Sequence, residues 1–127
     1  MRKYPFAILF LSICLGVLPA PIFAHHGLTW CDTEHITNVK GAVTSFEFVN
    51  PHALVHFAVK TNGGSVEEWT AETAPPSMLR RAGWDRATLK PGDSISVSGY
   101  QAKDGSRYMS VRKLVMPNGQ VLNQCPR

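Results

Sequence analysis

The sequence predicts an all-β fold with one short helix, closed into a small barrel of five to six strands. Three observations predict it. Segments that alternate apolar and polar residues recur along the chain, turns rich in Gly, Pro, Asn and Asp separate them, and a helix-compatible stretch falls after the third. The composition adds a bound: 44% hydrophobic and 17% charged residues in a chain of 127 exclude collagen, coiled-coil and disordered classes and fit one domain.

The first element is a leader. Arg2 and Lys3 make a positive start, Phe6 to Val17 is an apolar run of secretory length and short for a membrane span, and Ile22-Phe23-Ala24 follows two prolines. A signal peptide over residues 1–24 would leave His25 as the mature N-terminus. An uncleaved anchor and lipidation of Cys14 are the competing readings, the latter opposed by bulky Ile13 beside it. Export predicts a periplasmic or secreted protein with no membrane contact after cleavage. Losing Arg2 and Lys3 leaves eleven Lys and Arg against nine Asp and Glu, with no basic run longer than Arg80-Arg81. No nucleic-acid footprint is visible in that pattern.

Residues 25–38 read as an N-terminal segment and 39–127 as the barrel domain. From Val39 the first strand keeps Val39, Gly41 and Val43 in one phase and Phe46 and Phe48 in the other, so a β-bulge is expected near Thr44-Ser45. Asn50-Pro51 breaks it. A second strand spans His52 to Val59, Asn62-Gly63-Gly64 turns the chain, and Val66 to Glu72 returns as the hairpin's third strand. Ala74-Pro75-Pro76 stops that strand and opens a short helix, Ser77 to Ala82, with Gly83 as its C-terminal cap and Asp85 capping one further turn. After the turn at Leu89 to Asp93, strands are expected at Ser94 to Tyr100, Tyr108 to Met116 and Gln120 to Asn123. Three strands, a helix and two strands is the order of an oligonucleotide/oligosaccharide-binding (OB) barrel, which a bulged first strand suits. A β-sandwich would need more strands.

The motifs Ala24-His25-His26, Gly41-x-Val43-x-x-Phe46, Asn50-Pro51-His52-Ala53, Trp69-x-x-Glu72, Leu79-x-Arg81-x-Gly83-Trp84, Leu89-x-x-Gly92-Asp93 and Lys103-Asp104-Gly105-Ser106 occur in that order. In this the chain resembles DUF6152, a family of small exported bacterial proteins of unknown function. The resemblance covers nearly the whole mature chain. It implies secretion and a small β-domain, and it supplies no activity. The family's usual acidic stretch after the His pair is replaced here by Gly27 to Ile36, which contains Cys31.

With Cys14 in the leader, Cys31 and Cys125 remain, and export makes a disulfide between them the expectation. Closing a loop of roughly 95 residues would stabilise the fold by about 4–5 kcal/mol on the chain-entropy model. Free thiols or metal-bound thiolates are the alternatives.

All five histidines, His25, His26, His35, His52 and His56, lie early in the mature chain. A terminal His25 offers an α-amine and an imidazole that together chelate Cu(II), with His26, His35 or His52 able to add a further imidazole. Copper leads zinc and nickel by ligand type. Against this, a histidine at a cleavage point can be incidental. His52 and His56 share a strand face but stand roughly 13 Å apart, too far for one metal. His52 reads equally as a turn-packing side chain, and His56 as a half-exposed sheet residue.

His56, Trp69 and Glu72 form the candidate ligand face. Strict alternation nevertheless puts Trp69 and Glu72 on opposite sides of their strand, which favours core or rim packing for Trp69. Arg80 and Arg81 read as partners for Glu72 or Asp85, and Trp84 as a plug at one end of the barrel. CxxC, GxSxG, HExxH and phosphate-loop motifs are absent, and Glu67-Glu68 point to opposite faces, so no catalytic residue is assigned. The leading expectation is a non-catalytic binding module for a small ligand or a periplasmic protein, with copper as the candidate cofactor. A copper-dependent redox enzyme or electron-transfer accessory is the alternative, as is a partner-binding protein without metal.

Overall fold

The computed structural model describes residues 27–124, which form six strands and one helix: β1 Thr37–Glu47, β2 Leu54–Lys60, β3 Val66–Glu72, α1 Pro76–Arg81, β4 Ser94–Gln101, β5 Tyr108–Val115 and β6 Val121–Asn123. The sheet runs β3-β2-β1-β4-β5-β6, and a parallel pairing of β3 with β5 closes the first five strands into a barrel. β6 is an extra strand outside that ring. β1 begins two residues before the expected Val39 because Thr37 and Asn38 already pair with Gly99 and Ser98, reinforced by a 2.6 Å hydrogen bond from Ser98 Oγ to Asn38 Oδ1.

The expected bulge in β1 is present. Val43 pairs with Phe57 and Ser45 with His56, so Thr44 is the extra residue, and the buried phase passes from Val39 and Val43 to Phe48. Two strands cross closely at Gly41, where a Cβ would stand 2.4 Å from the Ala58 carbonyl oxygen. Inside the barrel pack Val43, Val55, Phe57, Trp69, Ala71, Ile95, Val97, Met109 and Leu114.

The helix follows the expected punctuation. Pro75 is its N-cap and Pro76 its first residue. At the far end Gly83 adopts φ +85° and donates to the Arg80 carbonyl, while Trp84 N–H donates to Leu79, a paired closure that satisfies two helix-end carbonyls. Trp84 and Leu79 are thereby buried, and Trp84 meets Phe46 edge-on at 6.0 Å. Asp85 caps a turn rather than further helix, accepting from Ala87 N–H at 2.7 Å.

β5 organises the rest. One edge pairs with β4 throughout; the other pairs with β3 over Tyr108 to Ser110 and with β6 over Lys113 to Val115. Between these partners the β4 ladder slips: Gly99 pairs with Val111 and Ser98 with Lys113, leaving Arg112 as a bulge. Gly99 is required there, since a Cβ would come within 2.1 Å of the Ser110 carbonyl oxygen.

The N-terminal segment is strapped to this region. Cys31 makes a bridge to Ala102, Asp32 N–H donates to the Gln101 carbonyl, and Lys103 Nζ reaches the Thr29 carbonyl at 2.8 Å. Among the described residues no helix is long and apolar enough to cross a membrane.

Candidate functional site

A cavity of about 430 Å3 opens where β3 leaves β5 and β6 has not yet joined it. Its apolar wall comes from Leu28, Trp30, Met78, Leu79, Val111 and Leu122, drawn from the N-terminal strap, α1, β5 and β6. Its polar groups are His52, Glu72 and Thr73 around the end of β3, Tyr100 of β4, Ser110 and Arg112 in the middle of β5, and Asn123 and Gln124 at the end of β6. An apolar pocket with a small number of placed polar groups is the usual form of a small-molecule site. Gln124 seals the gap between strands. Its backbone N–H donates to Arg112, and its amide, in the orientation that satisfies both groups, joins the Val111 carbonyl at 3.1 Å to the Ala74 N–H at 2.6 Å.

Glu72 is the hub of the polar side. Leu54 pairs with Glu72 at the start of β2, and the ladder continues through Ala53, whose N–H donates to Ala74 while its carbonyl accepts from Thr73. That continuation carries His52 to the same outer face as Glu72. His52 Nδ1 lies 2.6 Å from Glu72 Oε1, and Tyr108 donates its hydroxyl to Oε2 at 2.8 Å. Trp30 stands edge-on over the Tyr108 ring at 5.1 Å. Burial, followed by the facing Glu72 carboxylate, pushes the Tyr108 phenol well above its ordinary range, so it stays protonated as a donor. His52 thus faces Glu72 with Nδ1, and its Nε2 has no partner among the described residues. The His52 side chain is 41% exposed, so that nitrogen is reachable.

Arg112 supplies the positive counterpart. Its side chain is half-buried, one guanidinium nitrogen donates to the Tyr100 hydroxyl at 2.6 Å, and the group lies 5.4 Å over the Tyr100 ring.

The other expected residues fall elsewhere. His56 is on the outer face of β2, 28% exposed, with Nε2 on Glu47 and Nδ1 on Thr70, each at 3.0 Å; both nitrogens are occupied. Trp69 faces the core opposite Phe57, away from Glu72, as alternation requires, and the Arg107 guanidinium covers it at 5.5 Å. His35 is an exposed residue paired with Asp32 at 2.8 Å, which holds the carboxyl below and the imidazole above their ordinary values.

Arg80 and Arg81 do not pair with Glu72 or Asp85. Glu72 is already met by His52 and Tyr108, Asp85 caps its own turn, and Arg80 instead lies 5.1 Å over the Phe48 ring. Among the described residues no three His, Cys, Asp or Glu side chains cluster closely enough to hold a metal. His25, His26 and Cys125 lie outside the described residues. Cys31 is fully buried, and burial above all pushes its thiol up to about 11.

A closed five-strand barrel with a helix between its third and fourth strands defines a small OB-like protein, here with an extra strand and a side cavity. The chain belongs to the family of unknown function DUF6152, whose model matches residues 13–110. No curated protein sequence matches it. Among solved structures it is similar to Rim1, the mitochondrial single-stranded DNA binding protein from S. cerevisiae. There the TM-score is 0.50 and the identity 8%, over 65% of this chain and 93% of that one. It is also similar to part of TiaS, a tRNA agmatidine synthetase, in its complex with tRNA, AMPCPP and agmatine, with TM-score 0.45 and 18% identity over 68% of this chain and 19% of that one. Identities this low speak to the fold alone.

Proposed function

We propose that the protein is an exported, non-catalytic binding module that holds a small ligand in the cavity beside β5. The observation that carries this reading is the cavity itself: an apolar wall built from four separate elements, with His52, Glu72 and Arg112 among its polar groups. The strand face that OB barrels commonly use for polyanions carries Glu47, Glu68 and, at its end, Glu72 in this chain, which favours a partner other than nucleic acid. Amide and indole NMR shifts of the exported chain, titrated with a mixture of small aromatic and aliphatic compounds, test it. Shifts gathered at Trp30, Ser110 to Arg112 and Leu122 to Gln124 are expected; shifts centred on His56 and Thr70 would move the site to the open strand face and overturn the reading.

Copper capture is the second reading, supported by two observations. Glu72 engages His52 on Nδ1, the arrangement that presents Nε2 to a metal, and Gly27, two residues after the expected mature N-terminus, lines the same cavity. Calorimetric titration of Cu(II) into processed protein, beside a form with an added N-terminal Met, should show tight binding in the first alone. Equal weak binding in both removes copper.

The disulfide is part of the same proposal. Cys31 contacts the Ser110 backbone, and Gln124, the residue before Cys125, hydrogen-bonds to Arg112 on the same strand. A mass unchanged by reduction, with both thiols labelled, would exclude it.

A further inference from the structure

We propose that the cavity's ligand is an organic carboxylate, a compact apolar body whose anionic group sits on Arg112; this rests on the cavity being the binding site. The cations near the barrel differ in how they are met. Arg107 grips Glu67 with two nitrogens, each at 2.9 Å, and Lys103 is fastened to the Thr29 carbonyl. Arg112 is half-buried, and among the described residues it meets a neutral hydroxyl, that of Tyr100, and no carboxylate. A guanidinium partly withdrawn from water has lost hydration that one hydroxyl does not replace, and its planar fork matches a carboxylate in two parallel hydrogen bonds.

The negative group in the cavity does not compete for this role. Glu72 is already engaged at both oxygens, by His52 and by Tyr108. Arg112 is thus the charged side chain of the cavity wall that has no ion-pair partner among the described residues. Around it Leu28, Trp30, Met78, Val111 and Leu122 offer apolar and aromatic surface, which a bare inorganic anion would not use. Charge and wall together select an amphipathic anion over either a neutral apolar molecule or free phosphate.

The test compares three probes on the mature protein by calorimetry and indole NMR: 2-naphthoate, the neutral 2-naphthalenemethanol and inorganic phosphate. Naphthoate should bind roughly tenfold or more tightly than the alcohol, the range expected of one charge-assisted hydrogen-bonded contact. Arg112→Met should bring the two affinities together, chiefly by weakening naphthoate; Arg112→Lys should keep part of the difference, which separates loss of charge from loss of fold.

Equal binding of naphthoate and alcohol overturns the anionic ligand while the cavity reading stands. Phosphate binding as tightly as naphthoate also overturns it, since the apolar body would then contribute nothing. If neither aromatic probe binds at millimolar concentration, the cavity reading falls and the proposal with it.

Discussion

Two imidazole–carboxylate pairs lie on the outer face of the sheet where β1, β2 and β3 run side by side, and their surroundings differ. His56 is closed on both sides, by Glu47 and by Thr70, and Glu47 is half in water with its side chain 52% exposed. His52 meets its carboxylate on one side alone, while that carboxylate, 22% exposed, also carries the Tyr108 hydroxyl. The first pair is a surface clasp between β1 and β2. The second is a part-buried network with one imidazole nitrogen left over beside a cavity. Similar residues on one strand face thus differ in surroundings because the third strand gives His52 a part-buried carboxylate and the first strand gives His56 a solvated one.

The most disruptive way to break this contrast is Gly99→Ala. Its Cβ would stand 2.1 Å from the Ser110 carbonyl oxygen, so the β4–β5 bulge must move. A loss of about 3 kcal/mol is expected from overpacking at a backbone contact, read as a lower urea midpoint. In whatever fraction folds, NMR signals of Trp30 and His52 should shift and those of His56 should not. Next in size is the carboxylate pair. Glu72→Ala strands the half-buried Tyr108 hydroxyl and releases His52, for a loss of about 2 kcal/mol, whereas Glu47→Ala should cost below about 0.5 kcal/mol. Equal losses in urea denaturation would erase the distinction between clasp and network.

Smaller still is a kinetic effect at Cys31, which lies behind the Tyr108 side. With its thiol pushed up to about 11, reduced and folded protein at pH 8 should alkylate at Cys31 at least roughly tenfold more slowly than unfolded protein, followed by mass spectrometry. Comparable rates would show that the strap opens freely.

The smallest effect belongs to Asp32 and His35. His35 should titrate above the ordinary imidazole value and return toward it in Asp32→Asn, measured by NMR. The imidazole's contribution to stability is complete below its unfolded value and lost as pH rises through its raised folded value. The Asp32 contribution is complete above that group's unfolded value and lost as pH falls through its lowered folded value. The pair therefore acts fully in the interval between the two unfolded values.

Much of this architecture was legible in the sequence. The change of apolar phase between Val43 and Phe46 announced the β1 bulge, and Pro75-Pro76 and Gly83 bracketed α1. Alternation also placed Trp69 and Glu72 on opposite faces. The site was less legible. His52 and Glu72 were each singled out, but their meeting depends on a ladder that continues past the formal end of β2 through Ala53, which two isolated segments do not disclose.

Tyr108 and Arg112 were missed. The available signal was the spacing of Val111 and Leu114: two buried residues three apart with Arg112 and Lys113 between them break period two, as a bulge does. The arginines of α1 were misassigned for a related reason. Opposite charge alone nominated Glu72 as their partner, and its prior claim by a histidine and a tyrosine was a matter of tertiary packing.

Without Arg112 the ladder would run evenly from Val111 to Lys113, inward and outward residues would alternate as before, and Leu114 would keep its place in the core. The arginine thus behaves as a one-residue insertion that the fold can gain or lose without rewriting its neighbours. A chain lacking it would keep Lys113 opposite Ser98 and lose the planar guanidinium fork from the cavity wall, with no other residue changing its partner.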